Sequence, residues 1–159
     1  MIDYSQYKPN EFLTKNGWIY NWFSNMIQCD IEINNEHYNS VENYYQSMKT
    51  DDIELRELIK NSTPHQSKKV AQKIKIRSDW NEVKFFIMFQ ALIKKFSHEP
   101  FKTQLLNTGD SVIIEWNNWG DTTWGVDCDT YTGHNILGKQ LMIVRDILKY
   151  NNEMKSIKN

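Results

Sequence analysis

Glu42 stands two residues after Ser40, and the pair reads as the first turn and cap of a helix. The helix dipole at that position favours an ionised carboxylate. Position alone leaves two uses open: a surface glutamate that offsets the dipole, or a base and charge stabiliser for a reacting ligand. A second chemistry-bearing stretch, residues 117 to 135, is rich in Gly, Asp, Asn and Trp. Loops longer than about 12 residues in compact domains are usually functional or disordered. Trp119 and Trp124 argue against disorder here. Six tryptophans and eight tyrosines exceed what a small core needs. They either pack or form a stacking surface for a planar ligand. Other chemistries find no support. Gly133 to Lys139 has the G-x-x-x-x-G-K spacing, but Gln140 follows where a Ser or Thr would hold Mg²⁺, and no apolar strand precedes it. His37, His65, His98 and His134 show no metal-ligand spacing, so no metal is expected. There is no G-x-S-x-G.

The elements that must position these residues follow from periodicity. Residues 17 to 33 read as short strands, with Cys29, Ile31 and Ile33 alternating against polar neighbours. Asn34-Asn35 reads as a hairpin turn leading into Glu36-His37-Tyr38. After Ser40, the positions Val41, Tyr44, Tyr45 and Met48 recur at helical spacing, with Glu42, Gln46 and Lys49 on the opposite face. A second helix carries Ile53, Leu58 and Ile59. Thr63-Pro64-His65-Gln66 is a capping box with proline at the first helical position, and it opens a third helix bearing Val70, Ala71 and Ile74. Asp79 to Glu82 is another helix start. The helix behind it, over about residues 80 to 96, is apolar almost all round and is expected to be the central buried one. Pro100 begins a short helix that ends near Gly109. Val112, Ile114 and Trp116 alternate as a strand, and Leu137, Leu141, Val144 and Leu148 mark a last helix.

These elements predict an α+β fold, mainly α-helical, with a few short antiparallel strands. The expected domain is single, spanning 1–159 with its core about 17–150; a chain of 159 residues suits one domain. The formal net charge of -1 carries no global signature of nucleic-acid binding, though it leaves a local basic pocket open. Cys29 and Cys128 are isolated, which suits a reducing compartment. Met1 to Asn10 is polar and lacks the apolar core of a signal peptide, and no apolar run approaches membrane-spanning length. The expectation is a soluble, cytoplasmic protein without membrane association.

Several segments together carry a family resemblance. Ser40-Val41-Glu42-Asn43-Tyr44-Tyr45-Gln46-Ser47-Met48-Lys49 closely resembles the S-V-E-H-Y-Y-Q-A-x-K signature of the NADAR family. Phe23-Ser24-Asn25 resembles its F-S-N-F segment. Asp79-Trp80 with Lys84, then Met88, Ala91, Lys95 and Phe96, resembles D-W-x-x-x-K followed by M-x-x-A-x-x-x-K-F. Thr108-Gly109 and Glu115 resemble T-G, then L-x-E, and Asp121 to Gly125 matches D-x-x-W-G. Gly133, Asn135, Leu137, Gly138, Leu141, Met142 and Arg145 match G-x-N-x-L-G-x-x-L-M-x-x-R. The matches keep their order from about residue 20 to 148, and their specificity lies in the set.

The resemblance implies hydrolysis of an N-glycosidic bond with neither metal nor organic cofactor. YbiA-like members act on phosphoribosylated pyrimidine intermediates of riboflavin synthesis. Other members remove ADP-ribose from guanine in nucleic acid. Cleaving a base–ribose bond builds positive charge on the sugar, which a carboxylate stabilises while it orients or deprotonates water. By the match that carboxylate is Glu42. Asp121 becomes a second acid that either positions ribose hydroxyls or helps the leaving base; as an alternative it is an Asx-turn residue. Trp124 and Trp80 stack on the base or wall the pocket, or Trp80 is a core anchor. Asn25 and Asn135 fix polar groups of the substrate. Lys84 and Lys95 contact a phosphate, or are solvated. Arg145 reads as a structural partner on the last helix. One departure stands out: riboflavin-type members often read W-G-D-G, whereas this chain has Trp124-Gly125-Val126-Asp127. The acid of that motif is therefore absent or shifted to Asp127, which bears on substrate more than on reaction class. The first expectation is a small phosphoribosyl substrate. An ADP-ribosyl substrate, with nucleic acid as partner, is the alternative, and a non-catalytic ADP-ribose or nucleotide-binding module is a third. The joint presence of Glu42, Asp121 and Trp124 argues against the third.

Overall fold

A computed structural model of the chain describes residues 2–7 and 20–157. Contacts divide the chain into two units, one of Phe23–Phe101 and one of Met1–Trp22 with Lys102–Asn159.

In the Phe23–Phe101 unit, β1 (Ile31–Ile33) pairs antiparallel with β2 (Glu36–Tyr38), Ile31 opposite Tyr38 and Ile33 opposite Glu36. The turn between them needs positive φ at both central residues, and Asn34 (55°) and Asn35 (64°) supply it. The remainder of the expected strand region differs. Residues 17–19 lie outside the described residues, and Tyr20–Phe23 forms a 3-10 turn. Helix α1 (Val41–Ser47) starts at Ser40, whose hydroxyl accepts the Asn43 amide at 3.0 Å. It packs against α2 (Ile53–Lys60), α3 (Pro64–Ala71) and α4 (Trp80–Phe96), and every one of its residues is buried. Buried Asn43 closes the end of α2: its Nδ2 donates to the carbonyls of Ile59 (2.9 Å) and Ser62 (2.8 Å). The expected box at Thr63 and Gln66 is formed, with Pro64 at the head of α3. Helix α4 has the expected span. Its buried stripe is Ile87, Met88, Ala91, Leu92, Lys95 and Phe96, a strict helical face, while Phe86 is 63% exposed. An apolar residue on every side of a helix is therefore not burial on every side.

Helix α5 (Phe101–Leu106) leads to a turn at Gly109, whose φ is 59°. Beyond it, the expected strand at Val112–Trp116 is only two residues long: β3 (Trp116–Asn117) pairs with β4 (Val126–Asp127), and the pairing is parallel. The preceding residues lack a partner strand because a side chain takes that place. Asn135 accepts the Glu115 amide on Oδ1 and donates Nδ2 to the Ile113 carbonyl, both at 2.9 Å. Tyr4, Ile114, Trp116 and Val126 form a core cluster beside it. Helix α6 (Ile136–Ile157) buries Leu137, Leu141, Val144 and Leu148 as its periodicity predicts. Buried Arg145 is structural: its Nη1 donates to Thr108 Oγ1 (2.7 Å) and to the Ser111 carbonyl (2.8 Å). Among the described residues, no helix is long and apolar enough to cross a membrane.

Candidate functional site

Glu42 is built into the first turn of α1 and is 8% exposed. Its amide donates to the Asn25 carbonyl at 3.0 Å, and its Oε1 accepts from Gln46 Nε2 at 2.7 Å, one helical turn on. On the two residues that hydrogen-bond Glu42, two buried acceptors have no donor among the described residues: Gln46 Oε1 and Asn25 Oδ1. Buried polar atoms are nearly always satisfied, so this acceptor-rich spot is poised for a ligand or water that brings O–H or N–H groups. The cation nearby is Lys49, at the i+7 position. Its Nζ lies 5.4 Å from the Tyr45 ring centroid and 5.8 Å from that of Trp80. Burial lowers the Lys49 pKa, and Glu42 opposes part of that shift. Trp80 itself is buried against Tyr45, ring centroids 5.0 Å apart, so it has the placement of a core anchor.

The two lysines singled out from sequence have different surroundings. Lys84 donates to Asn81 Oδ1 (2.9 Å) one turn back on α4. Lys95 is 1% exposed, and its Nζ donates to the Ser24 carbonyl at 2.8 Å between the rings of Phe96 and Phe101. Burial pushes its pKa down to about 7, slightly opposed by Cys29. Lys95 thus holds the Ser24-Asn25 turn from below instead of reaching outward.

Asp121, Trp124 and Asn135 belong to the other unit. Asn117 clamps the backbone of Asp121, accepting its amide (2.9 Å) and donating to its carbonyl (2.8 Å). Asp121 Oδ1 then accepts the amides of Thr123 (3.0 Å) and Trp124 (2.9 Å), an Asx-turn arrangement. Half-buried Trp124 is anchored through its carbonyl, which accepts the Leu137 amide; Thr123 does the same for Ile136. The loop carbonyls thereby satisfy the first amides of α6. Both ends of the Asn135 side chain bond backbone groups, those of Ile113 and Glu115. Asp127 Oδ1 accepts from Asp129, Thr130 and the Thr130 hydroxyl, which lower its pKa and tie it to its own turn.

Three residues near these groups had no role in the sequence reading. Gln46 and Lys49 were legible as lying on the Glu42 face of a helix. Glu115 was quoted only as part of a motif: burial first, and the Asp121 charge second, raise its carboxyl pKa to about 7, and the burial is not readable from the neighbouring residues. Among the described residues, no group of three or more His, Cys, Asp or Glu is arranged to hold a metal ion.

The NADAR domain matches residues 10–149. An N-glycosidase of Nostoc punctiforme is 35% identical over 137 residues, 82% of this chain and 86% of that protein. N-glycosidase YbiA of Escherichia coli K12 is 31% identical over 133 residues, 81% of this chain and 82% of its own. A riboflavin biosynthesis protein of Vibrio vulnificus is 31% identical over 147 residues, which is 90% of this chain but 38% of that larger protein. The NMR structure of E. coli YbiA matches with a TM-score of 0.75 and 29% identity, covering 84% of this chain and 80% of its own. A mainly helical fold with short strands is common to the two, and the chain belongs to the NADAR family.

Proposed function

We propose that this NADAR-family N-glycosidase hydrolyses the base–ribose bond of a phosphoribosylated pyrimidine of riboflavin synthesis. The observation that carries the reading is the buried Glu42 carboxylate, held by two residues, Asn25 and Gln46, that each keep a buried acceptor without a donor among the described residues. Ribose presents hydroxyl donors, and such a spot suits them. As the C1′–N bond breaks, its electron pair leaves with the base and positive charge spreads over C1′ and the ring oxygen. Glu42 stabilises that charge, then accepts the proton of the water whose oxygen bonds to C1′. Asp121 is the second acid, positioning ribose hydroxyls or assisting the base, and Trp124 stacks on the base. In this reading Lys84 is the phosphate contact, whereas Lys95 serves by positioning the turn that carries Asn25. The substrate class is supported by the relatives, two of them named N-glycosidases and one named a riboflavin biosynthesis protein.

The test is incubation with phosphoribosylated pyrimidine intermediates and, separately, with DNA bearing ADP-ribosylated guanine, with released products identified by mass spectrometry. Free pyrimidine and phosphoribose are the expected products. Release of ADP-ribose from DNA alone would move the assignment to the second substrate class. No cleavage of either would leave a binding module and overturn the enzymatic reading.

A further inference from the structure

Glu115 is held on both sides of its backbone. Its amide donates to Asn135 Oδ1 at 2.9 Å, and its carbonyl accepts the Val126 amide at 2.7 Å. Its side chain lies over Gly125, where an added Cβ would stand 3.1 Å from Glu115 Cγ and 2.2 Å from the Glu115 carbonyl. The Trp124-Gly125 turn can therefore lie against Glu115 only because residue 125 lacks a side chain. Asp121, three residues before Trp124, is fixed by Asn117 and by the Thr123 and Trp124 amides. Among the described residues, no hydrogen bond or ion pair engages the Glu115 carboxyl. The result is a rigidly framed pair of acids, one of them uncommitted, beside the tryptophan proposed to meet the base.

We propose that Glu115 is the proton donor to the leaving base. This rests on the N-glycosidase reading. The Glu115 O–H proton passes to the base nitrogen that receives the C1′–N electron pair. Glu115 is left as a carboxylate. Water supplies hydroxide to C1′, and its other proton returns through solvent to Glu115, so no proton is gained or lost over the cycle. The required protonation state is available near neutrality, since burial and then the Asp121 charge raise its pKa to about 7.

The experiment compares wild type, Glu115→Gln and Asp121→Asn on two substrates: a phosphoribosylated pyrimidine and 4-nitrophenyl β-riboside 5-phosphate, whose nitrophenolate departs without a proton. For wild type on the pyrimidine, kcat should fall as pH rises through about 7, because the donor is lost. Glu115→Gln should lose about 10²–10⁴-fold on the pyrimidine, lose that alkaline limb, and stay within about tenfold on the nitrophenyl substrate. Asp121→Asn, which keeps the amide-accepting oxygen, should move the alkaline limb to lower pH. Equal losses on both substrates, or an alkaline limb that survives in Glu115→Gln and stays put in Asp121→Asn, would overturn the role of Glu115 alone. Absence of wild-type base release from the pyrimidine would overturn the parent reading and this one with it.

Discussion

The Glu42 amide donates to the Asn25 carbonyl at 3.0 Å, across 17 residues of sequence that include a hairpin. That bond makes the Ser24-Asn25 turn and the first turn of α1 a single piece. Lys95 extends it from beneath through the Ser24 carbonyl, and Gln46 completes it from within the helix. The carboxylate is thereby fixed by groups from three elements, as a preorganised charge stabiliser requires.

Glu42→Gln keeps the shape and the backbone bond but removes the charge and the proton acceptor. Turnover should fall about 10²–10⁴-fold while substrate still binds, because the charge matters most in the transition state. Melting should reveal a change of about 1 kcal/mol or less, the size of a first-turn dipole interaction. Near wild-type release of free base would remove Glu42 from the mechanism.

Lys95→Met tests the buried ammonium by pH. The folded pKa of Lys95 lies at about 7, below the ordinary lysine value of about 10.4. Between those values the unfolded chain binds more protons, so this group makes stability rise with pH across that window. The melting temperature of Lys95→Met relative to wild type should therefore be more favourable at pH 6 than at pH 9.5. A pH-independent difference would mean that the Lys95 pKa is not lowered in the folded protein.

Glu115→Gln should behave with the opposite sign. The folded Glu115 carboxyl has a pKa of about 7, above the ordinary glutamate value of about 4.3. There the folded protein binds more protons, and stability falls as pH rises through the window. The substitution should raise the melting temperature more at pH 8 than at pH 5. An equal shift at both would contradict the raised value.

Gly125→Ala and Gly138→Ala should each cost about 1–3 kcal/mol in chemical denaturation, the usual range for overpacking. The new Cβ would meet a backbone carbonyl at 2.2 Å in each case, that of Glu115 or of Ile113. Gly109→Ala meets nothing within 4 Å and bears only the cost of its φ of 59°, so its loss should be smaller, about 1 kcal/mol. Equal losses at all three positions would mean that close approach is not what excludes a side chain at 125 and 138.

What could be read from the sequence was whatever the chain settles within a few residues. Ser40, Thr63 with Gln66, and Asn34-Asn35 announce their helix starts and turn because each bonds or bends locally. Glu42 was legible through its motif and its place in the first turn. Asn135 was not legible as the partner of an unpaired segment, because its bonds reach back 20 and 22 residues. Lys95 meets the Ser24 carbonyl over 71 residues, a contact that the local pattern around either residue does not announce. The alternation at Val112, Ile114 and Trp116 announced a strand, but pattern alone cannot say whether a partner strand or a side-chain amide will complete it.

The complete burial of α1 has a consequence for how such a protein can change. Every position from Val41 to Ser47 faces a neighbour, so the helix that bears Glu42 has no free side on which substitutions can accumulate without effect. A saturation library across that segment should return few folded variants, with tolerance reappearing at half-buried Met48 and Lys49. Adaptation to a new substrate would then proceed through the Ser24–Ile27 turn, whose side chains are exposed or half-buried, leaving the carboxylate in a frame that drift can scarcely touch.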